Sequence, residues 1–166
     1  MSPEPIMDDD AVDFVMAAWR EEGRWRLDVL PARTGVSVSR LMAALAAHAG
    51  EGGVIGMVSV AEDFFVLVRL AGQQTRYLLS DIGAAVEWPL AAGVLDQLGV
   101  SIPPEDTADF APAGDLEIVA DLGMAGDEIS MLAQDIDLYP DEVLGSIAAR
   151  LGFGEQYDIA SGAGPS

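Results

Sequence analysis

The sequence predicts an α+β fold: a five-stranded antiparallel sheet with packed helices over residues 12–99, then a small acidic helical unit over residues 114–154. Three observations point there. Short apolar runs separated by Gly-containing and acidic turns alternate with two helical stretches, in the order ββαβββα. The chain is 51% hydrophobic despite a formal charge of −20, so it has the core material that most strongly acidic chains lack. The charge is also uneven: residues 1–100 hold 14 acids and 7 arginines (−7), whereas residues 101–166 hold 14 acids against Arg150 alone (−13).

Residues 1–11 read as a disordered acidic tail. Val12, Phe14, Met16 and Ala18 then alternate along a first strand, and Trp25, Leu27 and Val29 alternate with Arg24, Arg26 and Asp28 along a second. Glu21-Glu22-Gly23 supplies the hairpin turn, because Gly accepts positive φ, and Pro31 ends the second arm. Ser37–His48 reads as a helix capped by Ser37 or Ser39, with Leu41, Met42, Leu45 and Ala46 on one stripe. Gly50–Gly53 breaks it.

Three strands follow in quick succession. Val54–Val60 leads through Ala61-Glu62-Asp63 into Phe64–Leu70, which is apolar on both faces and therefore central; Ala71-Gly72-Gln73 turns the chain into Thr75–Leu79. Ser80 or Asp81 caps a helical segment that Trp88-Pro89 interrupts, since the residue before proline disfavours α geometry. The helix resumes through Leu90, Val94, Leu95 and Leu98, and ends at Gly99. Profilin-like, roadblock and longin domains share this element order, an analogy of fold alone.

Residues 100–113 look like a linker, with Pro103, Pro104 and Pro112 around Glu105, Asp106 and Asp109. Leu116–Val119 is a short strand or extended segment, and Asp127–Ala133 a short helix with Ile129, Met131 and Leu132 apolar. Tyr139-Pro140-Asp141-Glu142 is a strong helix start: proline at the first position and carboxylates at the positive end of the dipole. Val143, Leu144, Ile147, Ala148 and Leu151 line one face of that helix, Gly152 closes it, and residues 155–166 read as a disordered tail. A unit of about 40 residues with two short helices is too small to stand alone. It either docks on the sheet domain or folds against a partner.

Composition narrows the chemistry. Cysteine is absent, which removes disulfides, thiolate metal sites and cysteine nucleophiles. His48 is the single histidine, and its place at the end of a helical stripe suits contact with the last carbonyls. Asp135-Ile136-Asp137 lacks the further ligands and the glycine of a calcium loop, and reads as an acidic lead-in to a helix. No run approaches the ~18 apolar residues of a membrane span. The first residues carry neither a basic nor an apolar leader pattern, so a cytoplasmic location is expected. The negative field repels nucleic acid and anionic membrane and attracts basic partners. Trp19-Arg20 and Arg24-Trp25-Arg26 interleave aromatics with the one local basic cluster, yet against such a field a core or edge role for the tryptophans is favoured over base stacking.

A resemblance adds a partner. The stretches Gly52–Val60, Glu62–Arg69, Leu78–Asp81, Val86–Leu90, Ala113–Leu116, Asp137–Glu142, Leu144–Ala148 and Arg150–Gly154 resemble the actinobacterial tRNA adenosine deaminase-associated protein family, over roughly residues 12–154. The absence of both Lys and Asn, encoded by A-rich codons, agrees with such high-GC genomes. The resemblance implies a gene-neighbourhood link to the zinc enzyme that converts adenosine to inosine at the wobble position, and it assigns no catalytic residues. The chain itself cannot be that enzyme, because the chemistry needs H-x-E and P-C-x-x-C motifs that it lacks.

The expectation is a non-enzymatic acidic accessory protein, without cofactor or metal, that binds a basic protein, with the deaminase as the candidate. Asp137, Tyr139, Asp141, Glu142, Val143, Ile147 and Trp88 are the candidate contact residues. Neither nucleic acid nor membrane is an expected direct partner, and a homodimer stays open. The alternative is a small-ligand-sensing or dimerising module that uses the sheet and the Trp88 helix; a third reading is a metal-dependent hydrolase built on Asp135 and Asp137.

Overall fold

The computed structural model describes residues 8–48, 53–102, 111–135 and 137–161. The expected helix break at Gly50, most of the linker (Pro103, Pro104, Glu105, Asp106 and Asp109), Ile136 and both outermost termini lie outside those residues. Among the described residues the chain is α+β with an antiparallel sheet of six strands rather than five, in the order β2-β1-β3-β4-β5-β6. The strands are β1 (Val12–Glu21), β2 (Arg24–Leu30), β3 (Val54–Val60), β4 (Phe64–Ala71), β5 (Gln74–Leu79) and β6 (Ala113–Gly114). The helices are α1 (Val38–Ala46), α2 (Pro89–Leu98), α3 (Gly126–Ala133), α4 (Pro140–Leu151) and α5 (Gly154–Ser161).

The tight turns follow from local chemistry. Glu22 and Gly23 both take positive φ, which matches the twist of the β1–β2 hairpin. Ala61 and Glu62 also take positive φ without glycine. The Asp13 carboxylate holds that turn by accepting the Ser59 hydroxyl at 2.9 Å and the Glu62 N–H at 2.8 Å. The helical segment expected after Asp81 is a 3-10 turn, Ile82–Val86, and the α-helix starts at Pro89. A Pro fixes φ and lacks the N–H that a continuous helix would need.

The sheet is covered on both faces. Leu41 and Leu45 of α1 and Leu90, Val94 and Leu95 of α2 pack with Val15, Ala17, Val58, Val66, Val68 and Leu79 on one face. Met16, Ala18, Ile55, Met57, Phe65, Leu67 and Leu78 line the other, beneath Ile129 of α3, the α4 stripe and Tyr157 of α5. The C-terminal helices are thus the third layer of a helix–sheet–helix sandwich, and the docking alternative left open by the sequence is resolved in favour of the chain's own sheet.

Four sequence expectations change. A register shift between Val12 and Phe14 sends Val12 to the α1–α2 face, so β1 does not alternate evenly from its first residue. The sixth strand comes from the end of the expected linker, where Ala113 and Gly114 pair with Leu79 and Leu78. Leu116–Val119 is a run of turns and not a strand. Helix α5 spans Gly154–Ser161, so residues 155–161 are helical where a disordered tail over 155–166 was expected. Tyr157 anchors that helix: it is buried, and its hydroxyl donates to the Asp141 carbonyl at 2.6 Å.

Candidate functional site

The C-terminal layer is tied down by polar groups as well as by its core. Arg69 of β4 and Arg76 of β5 are directly paired across the strands, a repulsive arrangement unless neutralised. Arg69 donates to both Asp121 carboxylate oxygens and to the Ile118 carbonyl. Arg76 donates to Asp115 at 2.6 Å and to the Glu117 carbonyl at 3.0 Å. The hydrogen bond from Arg69 holds the Asp121 carboxyl below the usual carboxylate range. The Glu117 carboxylate accepts the Gly126 N–H at the start of α3, and Arg150 reaches Glu128 at 2.9 Å. At the far edge the Trp25 indole donates to the Leu151 carbonyl at 3.0 Å and its ring lies 4.7 Å from that of Phe153.

Those contacts consume part of the acidity at home. Asp115, Asp121 and Glu128 are paired with arginine. Asp127, Asp135, Asp137, Asp141, Glu155 and Asp158 are exposed and make no ion pair among the described residues. Two large side chains stand exposed among the first four of these, Met131 at 76% and Tyr139 at 58%. Asp127, Met131 and Asp135 recur at intervals of four, which places them along one side of α3 and its exit.

The predicted contact residues divide. Asp137, Tyr139, Asp141 and Glu142 are exposed at the start of α4. Glu142 also accepts the Tyr139 N–H at 3.0 Å, so its carboxylate caps the helix. Val143 and Ile147 are buried against the sheet and cannot touch a partner in this packing. Trp88 belongs to the α1–α2 layer; its indole donates to Asp63 at 3.2 Å, and its ring sits 6.2 Å from that of Phe64. Asp63 in turn lines a small cavity of about 30 Å³ with Leu138 and Pro140, so Trp88 and the start of α4 flank one end of the sheet from opposite faces. The sequence reading missed Met131 as a surface residue. Its signal was the spacing to Asp127 and Asp135, which puts it on the acidic side of the helix instead of with Ile129.

The other candidates are engaged structurally. His48 contacts the Ala44 carbonyl and the Asp28 carboxylate, each at 3.0 Å, at the end of α1. Asp135 accepts the Asp137 N–H at 2.9 Å, forming the turn into α4. The only acidic trio close enough to share an ion among the described residues is Asp8, Asp9 and Asp10, all exposed, and it includes neither Asp135 nor Asp137. Arg20 lies over the Trp25 ring at 5.6 Å, and the indole N–H of Trp25 is spent on Leu151, which leaves this tryptophan fixed in the layer interface. No described helix is long and apolar enough to cross a membrane.

These features define a three-layer α+β protein with an acidic, partly apolar outer edge formed by α3 and the start of α4. The chain belongs to the Rv3753c-like tRNA adenosine deaminase-associated protein family, whose model matches residues 13–154. It is 40% identical over 145 residues to Protein Rv3753c of Mycobacterium tuberculosis (strain ATCC 25618 / H37Rv), covering 86% of this chain and 84% of that protein. No solved structure matches, so the profilin, roadblock and longin analogy has no relative to support it.

Proposed function

We propose that the protein is a non-enzymatic companion of a tRNA adenosine deaminase and binds a basic face of that enzyme through the α3–α4 edge. The observation that carries this reading is the cluster of Asp127, Asp135, Asp137 and Asp141, exposed and without arginine partners, around the exposed Met131 and Tyr139. A partner with an excess of Arg or Lys meets that edge with favourable Coulomb energy, and the Met and Tyr side chains supply apolar anchors. The family description, which names a tRNA adenosine deaminase, supports that enzyme as the partner. Enzymes that act on tRNA present basic surfaces to phosphate, so the acidic edge has the charge to dock where the RNA backbone would.

The test is titration of the deaminase from the same organism with the full chain, at low and at high salt. Binding should weaken as salt rises, and Asp135→Asn/Asp137→Asn/Asp141→Asn should weaken it at low salt and flatten the salt dependence. Affinity independent of salt and of those three substitutions contradicts the reading. The triple variant leaves the core, the arginine contacts and the Glu142 cap intact, so loss of binding is not loss of fold.

A further inference from the structure

We infer that the cleft between α1 and α2, on the sheet face opposite the C-terminal helices, is a small-molecule site for an organic amine: an apolar body with one protonated nitrogen. The cleft measures about 500 Å³, within the ordinary range for small-ligand pockets. Val38 and Met42 of α1 form one wall, and Pro89, Ala92 and Gly93 of α2 form the other.

Tyr77 of β5 lines the cleft from the sheet side. Its residue is 8% exposed, and its hydroxyl has no hydrogen-bond partner among the described residues. A phenol so deeply placed ordinarily finds a partner. The Tyr77 hydroxyl is not sealed from solvent either, since among the described residues the only fully enclosed side-chain polar atom without a partner is Nε of Arg69. The hydroxyl is therefore reachable, and it belongs to a residue that lines the cleft. Burial pushes its pKa up, which keeps the proton on the oxygen.

Charge selects the ligand. Among the described residues, Asp96 is the one ionised side chain that lines the cleft, and no arginine lines it. Ser39 and Gln97 are the remaining polar lining groups. A phosphate or carboxylate entering here meets a carboxylate and no cation; an ammonium meets Asp96 and the field of a chain with charge −20. The apolar walls ask for a hydrocarbon or aromatic body. This site is independent of the deaminase reading, because it lies on the other side of the sheet from α3 and α4.

The experiment uses three matched probes on the full chain: 4-phenylbutylamine, 4-phenylbutanol and 4-phenylbutyrate. Nuclear magnetic resonance would follow the Met42 methyl and the Gly93 amide. The amine should give saturable shifts at both, with a dissociation constant on the order of millimolar for a probe of this size. The carboxylate should bind about tenfold more weakly or not at all. Asp96→Asn should remove the preference for amine over alcohol. Tyr77→Phe keeps the core ring and should weaken amine and alcohol alike by about fivefold. Absence of saturable shifts with the amine, equal binding of amine and carboxylate, or indifference of the amine to both substitutions overturns the proposal.

Discussion

Removing the carboxylate of Asp121 should loosen the C-terminal layer more than removing the arginine it pairs with. The Arg69 side chain is 8% exposed, and Asp121 neutralises it from outside. Truncating one partner of a fully dry ion pair costs about 3–5 kcal/mol, because the other charge stays buried. Asp121 is 60% exposed, so water can reach the outer edge of the guanidinium. Screening on that scale reduces the expected cost of Asp121→Ala to about 2 kcal/mol. For a chain of 166 residues this lowers Tm by about 4–8 °C. In Arg69→Met the buried charge disappears together with its need for a partner, and Asp121 remains hydrated. The Ile118 carbonyl keeps a longer hydrogen bond from Arg76, at 3.4 Å. That variant should cost less than about 1 kcal/mol. Calorimetric melts at pH 7, with amide exchange over residues 115–124, measure both. Equal costs for the two variants, or an Asp121→Ala melt identical to the parent, would show that Asp121 does not neutralise a buried Arg69 charge. The pH dependence follows from the same contact. Asp121 has its folded-state pKa lowered, so its stabilisation is complete above about pH 3.9 and is lost as pH falls through the folded value. Asp121→Ala should therefore flatten the acid limb of the stability curve.

Asp81 should show the opposite sign. Burial raises its pKa, with Asp63 adding to the shift, so the folded state holds that proton more tightly and loses stability as pH rises through the folded value. Asp81→Asn keeps an oxygen for the Gly83 N–H and should be more stable than the parent at pH 7 in urea titrations, the gain vanishing where Asp81 is protonated. Trp25→Phe removes the donor to the Leu151 carbonyl and should cost about 1 kcal/mol, read as faster amide exchange at the end of α4. Gly53→Ala should be severe: φ is +88°, and a Cβ would stand 1.8 Å from the Leu70 carbonyl oxygen, so a loss of about 3 kcal/mol or more is expected in thermal melts.

The sheet was legible because β1 to β5 are separated by turns whose residues announce them, and because Phe64–Leu70 is apolar on both faces. That same strand held the answer to a question the apolar stripe of α4 could not settle. Val143, Leu144 and Ile147 suit a home sheet and a foreign groove equally well. A central strand apolar on both faces needs two covers, however, and α1 and α2 supply only one. β6 escaped notice because two residues, one of them a glycine at φ +114°, carry no periodicity. Helix α5 escaped because one buried ring, Tyr157, holds it in place. The Arg69–Asp121 and Arg76–Asp115 contacts span 52 and 39 residues, and no local pattern marks such pairs.

The most direct test of the central claim is competition. The full chain would be titrated into a preformed complex of the deaminase with a fluorescent tRNA anticodon arm at low salt, with the triple Asp135/Asp137/Asp141 amide variant in parallel. Binding at a basic RNA-facing surface predicts that the parent protein displaces the RNA and that the variant does so weakly. Failure of the parent protein to associate with the enzyme, with or without RNA, would contradict the account.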